Sequence, residues 1–387
     1  MAKKTIVCTG SFQDRFVHSL CVDADVQGTG DGVYCYGLDE ASGALTPAST
    51  VPGLTQPARL WRHAASGRIY AASDTRAFLN WEPGTGGGVY CLSPAGAGWT
   101  PTARRSSCGV RAVDVCGTPD GRFILVLNEG SEFCTTAFAP DAAGRWQPHV
   151  RWDEGCVTVL QAQDGGFARV CSRYVFETGT PAHPCAMRLC GNELYVADRG
   201  GGCVLQLRLD PETGTLHPLA QLPTGAAGAP TDVAAHPTLP VCYAACPAGG
   251  KILVCRRTAE GLASAEAVFE EEPSCPGRLL LSPQGTTLYA ADADGRQIKV
   301  YAVCEDGGLV LRQRVDCAPP AAGEGALFDL ALTPSGRWLL ATDLPGGRIL
   351  AFPAATEGSL GAARVLQAPS PSGLLIFEQD EQDEEAP

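Results

Sequence analysis

The chain is short of positive charge, of long apolar runs and of paired cysteines, and each shortage removes a class of function. Lysine and arginine number 29 against 42 aspartates and glutamates, a formal net charge of −13. Such an acidic surface repels a phosphate backbone, so no nucleic-acid partner is expected. No stretch approaches the roughly 18 to 20 uncharged apolar residues that cross a bilayer. The opening MAKKTIVCTGSF has neither the apolar core nor the cleavage site of a secretion signal. The expectation is a cytoplasmic protein without a membrane partner. Cysteine is plentiful at 18 residues, yet no CxxC pair occurs, and the closest spacings are Cys242/Cys246 and Cys185/Cys190. In IVCTG, GVYCYGL and KILVCRR the cysteine stands where a strand carries Val or Ala. They read as small reduced core residues, not as zinc ligands or a disulfide framework. Also missing are a Walker A loop, a GxSxG elbow and a GxGxxG between strand and helix, which removes the commonest nucleotide and serine-hydrolase chemistries.

What is present is turn-forming residues and a repeat. Gly 46 and Pro 29 are too many for helix interiors, so short strands joined by many turns are expected. An apolar strand ending in a small or acidic residue recurs as GRIYAASD (67–74), GRFILVLN (121–128), NELYVAD (192–198), PVCYAAC (240–246), TTLYAAD (286–292) and GRWLLATD (336–343), with a truncated copy, TIVCT, ending at Thr9. A period of roughly 40 to 50 residues with loop insertions is that of a propeller blade. After each comes a hairpin with an Asp, Pro or Gly turn, among them GVYCYGLDEASGALTP (32–47), TTAFAPDAAGRWQP (135–148) and VLQLRLDPETGTLHP (204–218). A further apolar segment precedes six of the first-type strands, as in RAVDVCG and FDLALTP.

Six units are therefore complete four-stranded sheets, and the first has three strands. The orphan strand SGLLIFEQ (372–379) supplies the fourth, giving an all-β, seven-bladed propeller of twenty-eight antiparallel strands. The first blade is shared between 5–47 and 372–379, so the ring closes where the two chain ends meet. Residues 1–379 are expected to form a single propeller, and 380–387 a solvated acidic tail. The long interval before Asp198 is read as an excursion over 149–180. Ring closure without a second chain makes a monomer the expectation.

The pieces LDEASGALTP, RLDPETGTLHP, GTPDGRFILVLNEG, GTPAHPCAM with ELYVADRGGG, FDLALTPSGRWLLATD and APSPSGLLIF, in this order along nearly the whole chain, resemble the lactonase family of seven-bladed propellers. That family includes the cycloisomerase-type 6-phosphogluconolactonases and the carboxymuconate lactonising enzymes. The resemblance implies a lactone hydrolase or lactone-forming cycloisomerase that takes a small lactone or related organic acid and needs no cofactor or metal. It also places a functional histidine at His183. Departures from the family pattern fall at Thr231, where an arginine is common, at Cys246 and Pro247, where a glutamate is common, and at Asp292–Ala293, where Asn-Arg is common.

In a propeller the starts of the innermost strands and the ends of their neighbours lie at one end of the central channel. That geometry nominates Arg59, Arg111, Asp114, Asp232, Arg278 and Asp329 on the innermost strands, with His183, and Asp74, Glu129, Asp198, Arg199, Asp292 and Asp343 at the neighbouring strand ends. Carboxylates outnumber cations in this set. Any one aspartate at a strand end also has the plain role of bonding nearby backbone N–H groups. Three readings stay open: a lactonase with His183 as acid or base and arginines on the oxyanion; a propeller whose chemistry has lapsed and which binds ligands or proteins; and a metal-dependent hydrolase using the ring of aspartates. His236, on a turn at the opposite end, reads as structural.

Overall fold

The computed structural model describes residues 3–13, 28–76, 86–177, 182–269, 275–294, 297–317 and 327–380. Seven four-stranded antiparallel sheets form the blades of a propeller, with strands A to D running outward from the channel. Blade 1 starts with strand A at Pro57–Arg62, blade 2 at Ala112–Gly117, blade 3 at Pro184–Cys190, blade 4 at Asp232–Ala235, blade 5 at Pro276–Leu281 and blade 6 at Leu327–Leu332. In blade 7, strand A is the C-terminal Pro371–Asp380, which pairs antiparallel with the N-terminal Lys3–Ser11. Each strand A touches that of the next blade, and blade 7 meets blade 1. Besides strands, only two 3-10 turns, Gly225–Ala227 and Pro247–Gly249, occur among the described residues. No helix there is long and apolar enough to cross a membrane.

The repeated B strand is apolar on both faces because it packs between two blades. Ile124 to Leu127, Leu194 to Ala197 and Leu339 to Ala341 are fully shielded from solvent. Its tyrosine does a second job. The Tyr243 hydroxyl donates to the Gly307 carbonyl at 2.9 Å, and that of Tyr289 to Gly358 at 3.0 Å, in each case in the C–D turn of the next blade. Both turn glycines have positive φ, 85° and 91°, where a side chain would be strained. In blades 4 and 5 the B-strand tyrosine and the turn glycine of the next blade are thus two halves of one contact, whereas the Tyr195 hydroxyl of blade 3 donates to Glu193.

One expected assignment is corrected. The extra segment is not 149–180, because Cys156–Gln163 and Gly166–Val175 are strands C and D of blade 2, paired in register with Phe123–Asn128. The insertion is instead the hairpin Ser131–Pro140 and Trp146–Asp153, a two-stranded sheet of its own. TTAFAPDAAGRWQP does turn as read, with Asp141 accepting the Ala143 and Arg145 amides at 2.9 Å. It loses the blade position because Cys156 to Leu160 bury completely there, while Phe138 and Trp146 stand 63% and 68% exposed. Residues 381–387 of the expected tail lie outside the described residues, and Asp380 ends the closing strand.

Sixteen cysteines, Cys8 to Cys317, are free thiols. Nine are buried, and Cys108 is exposed.

Candidate functional site

Around the channel, the same position of strand A carries Arg59, Asp114, Ala186, Asp232, Arg278, Asp329 and Gly373 in blades 1 to 7, as the A–B registers show. The three aspartates act alike. One oxygen of each accepts the next amide of its own strand, Val115, Val233 or Leu330, at 2.9 Å. The other accepts an amide of the following blade: Met187 for Asp114 at 3.0 Å, Leu279 for Asp232 at 2.9 Å and Leu374 for Asp329 at 2.8 Å. They are staples between innermost strands. The expected substrate-binding aspartates 114, 232 and 329 thus have their oxygens engaged by backbone.

Arginines complete this ring. Arg59 pairs with Asp329, reaching from blade 1 to blade 6 past Gly373, where a Cβ would lie 2.9 Å from the Arg59 Cα and 2.5 Å from the Ala58 carbonyl. Arg188, which sequence reasoning missed, bridges Asp114 and Asp232 at 3.3 Å each. It lies one step deeper on strand A of blade 3, and the signal for it was a lone charge inside the otherwise uncharged Pro184–Cys190. Burial pushes the Asp329 carboxyl up, but the charge and hydrogen bond of Arg59 and the Leu374 amide outweigh it and hold the group below the usual range.

Nearer the mouth, Arg111 forks onto both oxygens of Asp74 at 3.0 and 3.2 Å and meets Glu129 at 3.0 Å. Glu129 also accepts Arg199 at 3.0 Å, so Asp74, Arg111, Glu129 and Arg199 form one chain of ion pairs over blades 1 to 3. Arg111 has φ 59°. Its N–H donates to the Thr75 carbonyl and its carbonyl accepts the Glu129 amide, both at 2.9 Å, which holds the unusual backbone.

His183 stands beside this chain, immediately before strand A of blade 3. Its amide donates to Asp198 Oδ1 at 2.9 Å, and its carbonyl accepts the Arg199 amide. Imidazole Nδ1 is shielded and has no hydrogen-bond partner among the described residues. Asp198 Oδ2 is likewise unpartnered, and burial raises this carboxyl in spite of the amides of Gly201, His183 and Gly200. Cys185 lies two residues on, its thiol 3.3 Å from the Thr231 carbonyl. Burial pushes it up to about 12, while the charges of Glu129, Arg278, Arg199 and Asp232 all act on it. The mouth chain and the channel ring therefore meet at blade 3.

The remaining expectations separate from this site. Both oxygens of Asp292 are taken by the buried Lys299 ammonium at 2.7 and 2.8 Å, and Asp343 is held by Arg348 at 2.7 Å. Cys275, Asp292 and Asp294 bring ligand atoms within 4.8 Å of one another, but Lys299 supplies the positive charge at Asp292. His236 is structural: Nδ1 accepts the Thr238 and Leu239 amides, and Nε2 contacts the Gly285 carbonyl at 3.0 Å. At the departures from the family pattern, the Thr231 hydroxyl donates to Gly277 at 3.0 Å, Cys246 is fully buried, and Ala293 lies where a Gly277 side chain would be.

Residues 19–318 match the family described as Lactonase, 7-bladed beta-propeller. No curated protein matches the chain. Among solved structures, a candidate 6-phosphogluconolactonase of Bacteroides uniformis is 16% identical with TM-score 0.75, covering 97% of this chain and 99% of its own. The periplasmic gluconolactonase of Pseudomonas aeruginosa is 17% identical with TM-score 0.74 over 97% and 99%. At these identities the structural likeness speaks to the fold alone.

Proposed function

The chain belongs to the seven-bladed lactonase family, and from that premise we propose that it opens or forms the ring of a small sugar-type or muconate-type lactone, with His183 as the proton-transfer group. The observation that carries this reading is the His183 imidazole at the channel mouth, with its backbone tied down on both sides and Nδ1 without a partner. In the hydrolytic direction the imidazole takes the proton of the attacking water and returns it to the ring oxygen as the C–O bond breaks. The negative charge that develops on the carbonyl oxygen in the transition state is met by Arg278, with Arg199 and Arg59 as the neighbouring candidates. For a sugar-type lactone, ring formation is the same path reversed, with water released; for a muconate-type lactone a carboxylate oxygen adds to the C=C bond while the imidazole delivers the proton to the carbon next to the carbonyl, and no water is consumed or released.

Ring closure through the paired chain ends supports a monomer, and the net charge supports a small-molecule partner and no nucleic acid. The cytoplasm is the proposed compartment. Titrating released acid at constant pH over a panel of phosphorylated and unphosphorylated lactones, beside His183→Ala and with spontaneous opening subtracted, tests the reading. Turnover of one lactone that drops at least a hundredfold in the variant is expected. A variant as fast as the parent removes His183 from the chemistry.

A second reading, a ligand-binding propeller without turnover, draws on Thr231, Cys246 and Ala293, none of which offers a charged group where the family commonly has one. Native protein that never exceeds background on any lactone favours it.

A further inference from the structure

Arg278 differs from every other arginine of the site. Arg59, Arg111, Arg188 and Arg199 each reach a carboxylate, whereas Arg278 has no ion-pair partner among the described residues. Its Nη1 is shielded and without a hydrogen bond, and so is Nη2 of Arg59, whose side chain is 8% exposed. Both guanidinium carbons lie 5.6 Å from the centre of the same Phe328 ring. Two cations thus share one aromatic shelf, each with an unused donor. Burial lowers the pKa of Arg278, and the charge of Arg59 lowers it further.

The carboxylates nearest in charge, Asp232 and Asp329, are not able to turn toward Arg278 cheaply. Each would have to release two buried backbone amides, one of them in the next blade, at a cost comparable to any ion pair gained. A guanidinium fork of this kind is matched by a planar carboxylate. A phosphate monoester brings up to two negative charges into a ring that already holds three fixed aspartates, with only one cation uncommitted.

We propose that the channel beside Phe328 is a subsite for a single carboxylate, or the carbonyl that becomes one, gripped by Arg278 with Arg59 behind it, and that it selects unphosphorylated ligands over phosphorylated ones. The selectivity rests on the lactone reading above, but the subsite does not. Among the described residues of the ring, Arg59 and Arg188 are committed to aspartates, which leaves Arg278 as the one cation for a ligand.

The test is calorimetric titration of the full chain with sodium gluconate and, separately, with 6-phosphogluconate, two sugar acids that differ by one phosphate. Gluconate is expected to bind at least tenfold tighter. Arg278→Gln should weaken gluconate at least tenfold, and Arg278→Lys less. Melting curves of both Arg278 variants check that they fold, and the lysine variant keeps the test usable if the glutamine variant does not. Equal or tighter binding of 6-phosphogluconate, no gluconate binding at all, or gluconate binding indifferent to Arg278→Gln overturns the proposal. The two ideas fail separately: Arg278-dependent gluconate binding without lactone turnover sinks only the enzyme, and lactone turnover with Arg278-independent binding sinks only the subsite.

Discussion

Replacing Asp329 with alanine removes three contacts at once, and the structure sets the scale of the loss. The carboxylate accepts the Leu330 amide at 2.9 Å and the Leu374 amide at 2.8 Å, the latter in the strand that closes the ring. It also neutralises Arg59, whose side chain is 8% exposed. Each amide bond to a charged acceptor contributes about 1.5 to 3 kcal/mol, and stranding a buried cation costs about 3 to 5 kcal/mol. Because one side chain supplies all three and the site relaxes, the sum is an upper limit, and about 4 to 6 kcal/mol is the working figure. That is a large part of the roughly 5 to 15 kcal/mol that holds a typical domain folded. With an m-value of about 3 kcal/mol/M or more, the urea midpoint falls by about 1 to 2 M, readable from tryptophan fluorescence.

The pH dependence has a definite sign. Arg59 holds the folded carboxyl below its unfolded value, so its stabilisation is present above about pH 4 and fades as the pH falls further. The gap between parent and Asp329→Ala should be full at pH 7 and narrow below pH 4. Adding Arg59→Met removes the stranded cation and should restore about 1 to 3 kcal/mol. A midpoint within about 0.3 M of the parent, or a double variant no more stable than Asp329→Ala, refutes the stapling argument.

Asp198 carries the opposite sign, since burial raises its carboxyl and ionising it costs stability as the pH rises through the folded value. Asp198→Asn keeps the oxygen that accepts His183 and Gly201, so thermal melts at pH 7 should show it as stable as the parent or up to about 1 kcal/mol better, while Asp198→Ala loses about 2 to 3 kcal/mol. Burial and Arg257 hold His236 below its usual pKa, against the Gly285 bond. Stability should therefore decline as the pH falls below about 6.5, and His236→Ala, costing about 1 to 3 kcal/mol at pH 7, should flatten that slope. Excising residues 131–153, so that Gly130 joins Glu154, should leave the blades intact because Asn128 already pairs with Cys156; a Tm lower by more than about 5 °C would show that the hairpin supports the ring.

The repeat was legible in the sequence because each blade writes the same contacts in the same order. Strand B is apolar, in blades 4 and 5 its tyrosine meets a turn glycine, and the orphan strand at 372–379 has one place to go. The hairpin at 131–153 was misread because turn chemistry is local: Asp141 and Gly144 make a turn whether or not the strands around them belong to a blade. Membership is decided at a distance, by whether a strand buries fully against its neighbours, and the wholly buried Cys156 to Leu160 outcompete a segment that leaves Phe138 and Trp146 in solvent. The site residues were nominated by height in the channel, which brought out Arg59, Arg278 and the aspartates. Height alone does not tell a carboxylate that faces a ligand from one that accepts backbone amides, and it passed over Arg188, which enters the ring from one step deeper.

The number seven explains why one arginine is left over. Staples at blades 2, 4 and 6 join blades 2 to 3, 4 to 5 and 6 to 7, and an alternating pattern on an odd ring must fail once. It fails between blades 7 and 1, where Gly373 stands beside Arg59. The missing side chain lets Arg59 pass over blade 7 to Asp329, while on the other side Arg188 serves both Asp114 and Asp232. Three aspartates are thereby satisfied by two arginines and six amides. The third arginine, Arg278, sits between two aspartates that already have partners, so its charge is uncommitted by the architecture and is available to a ligand.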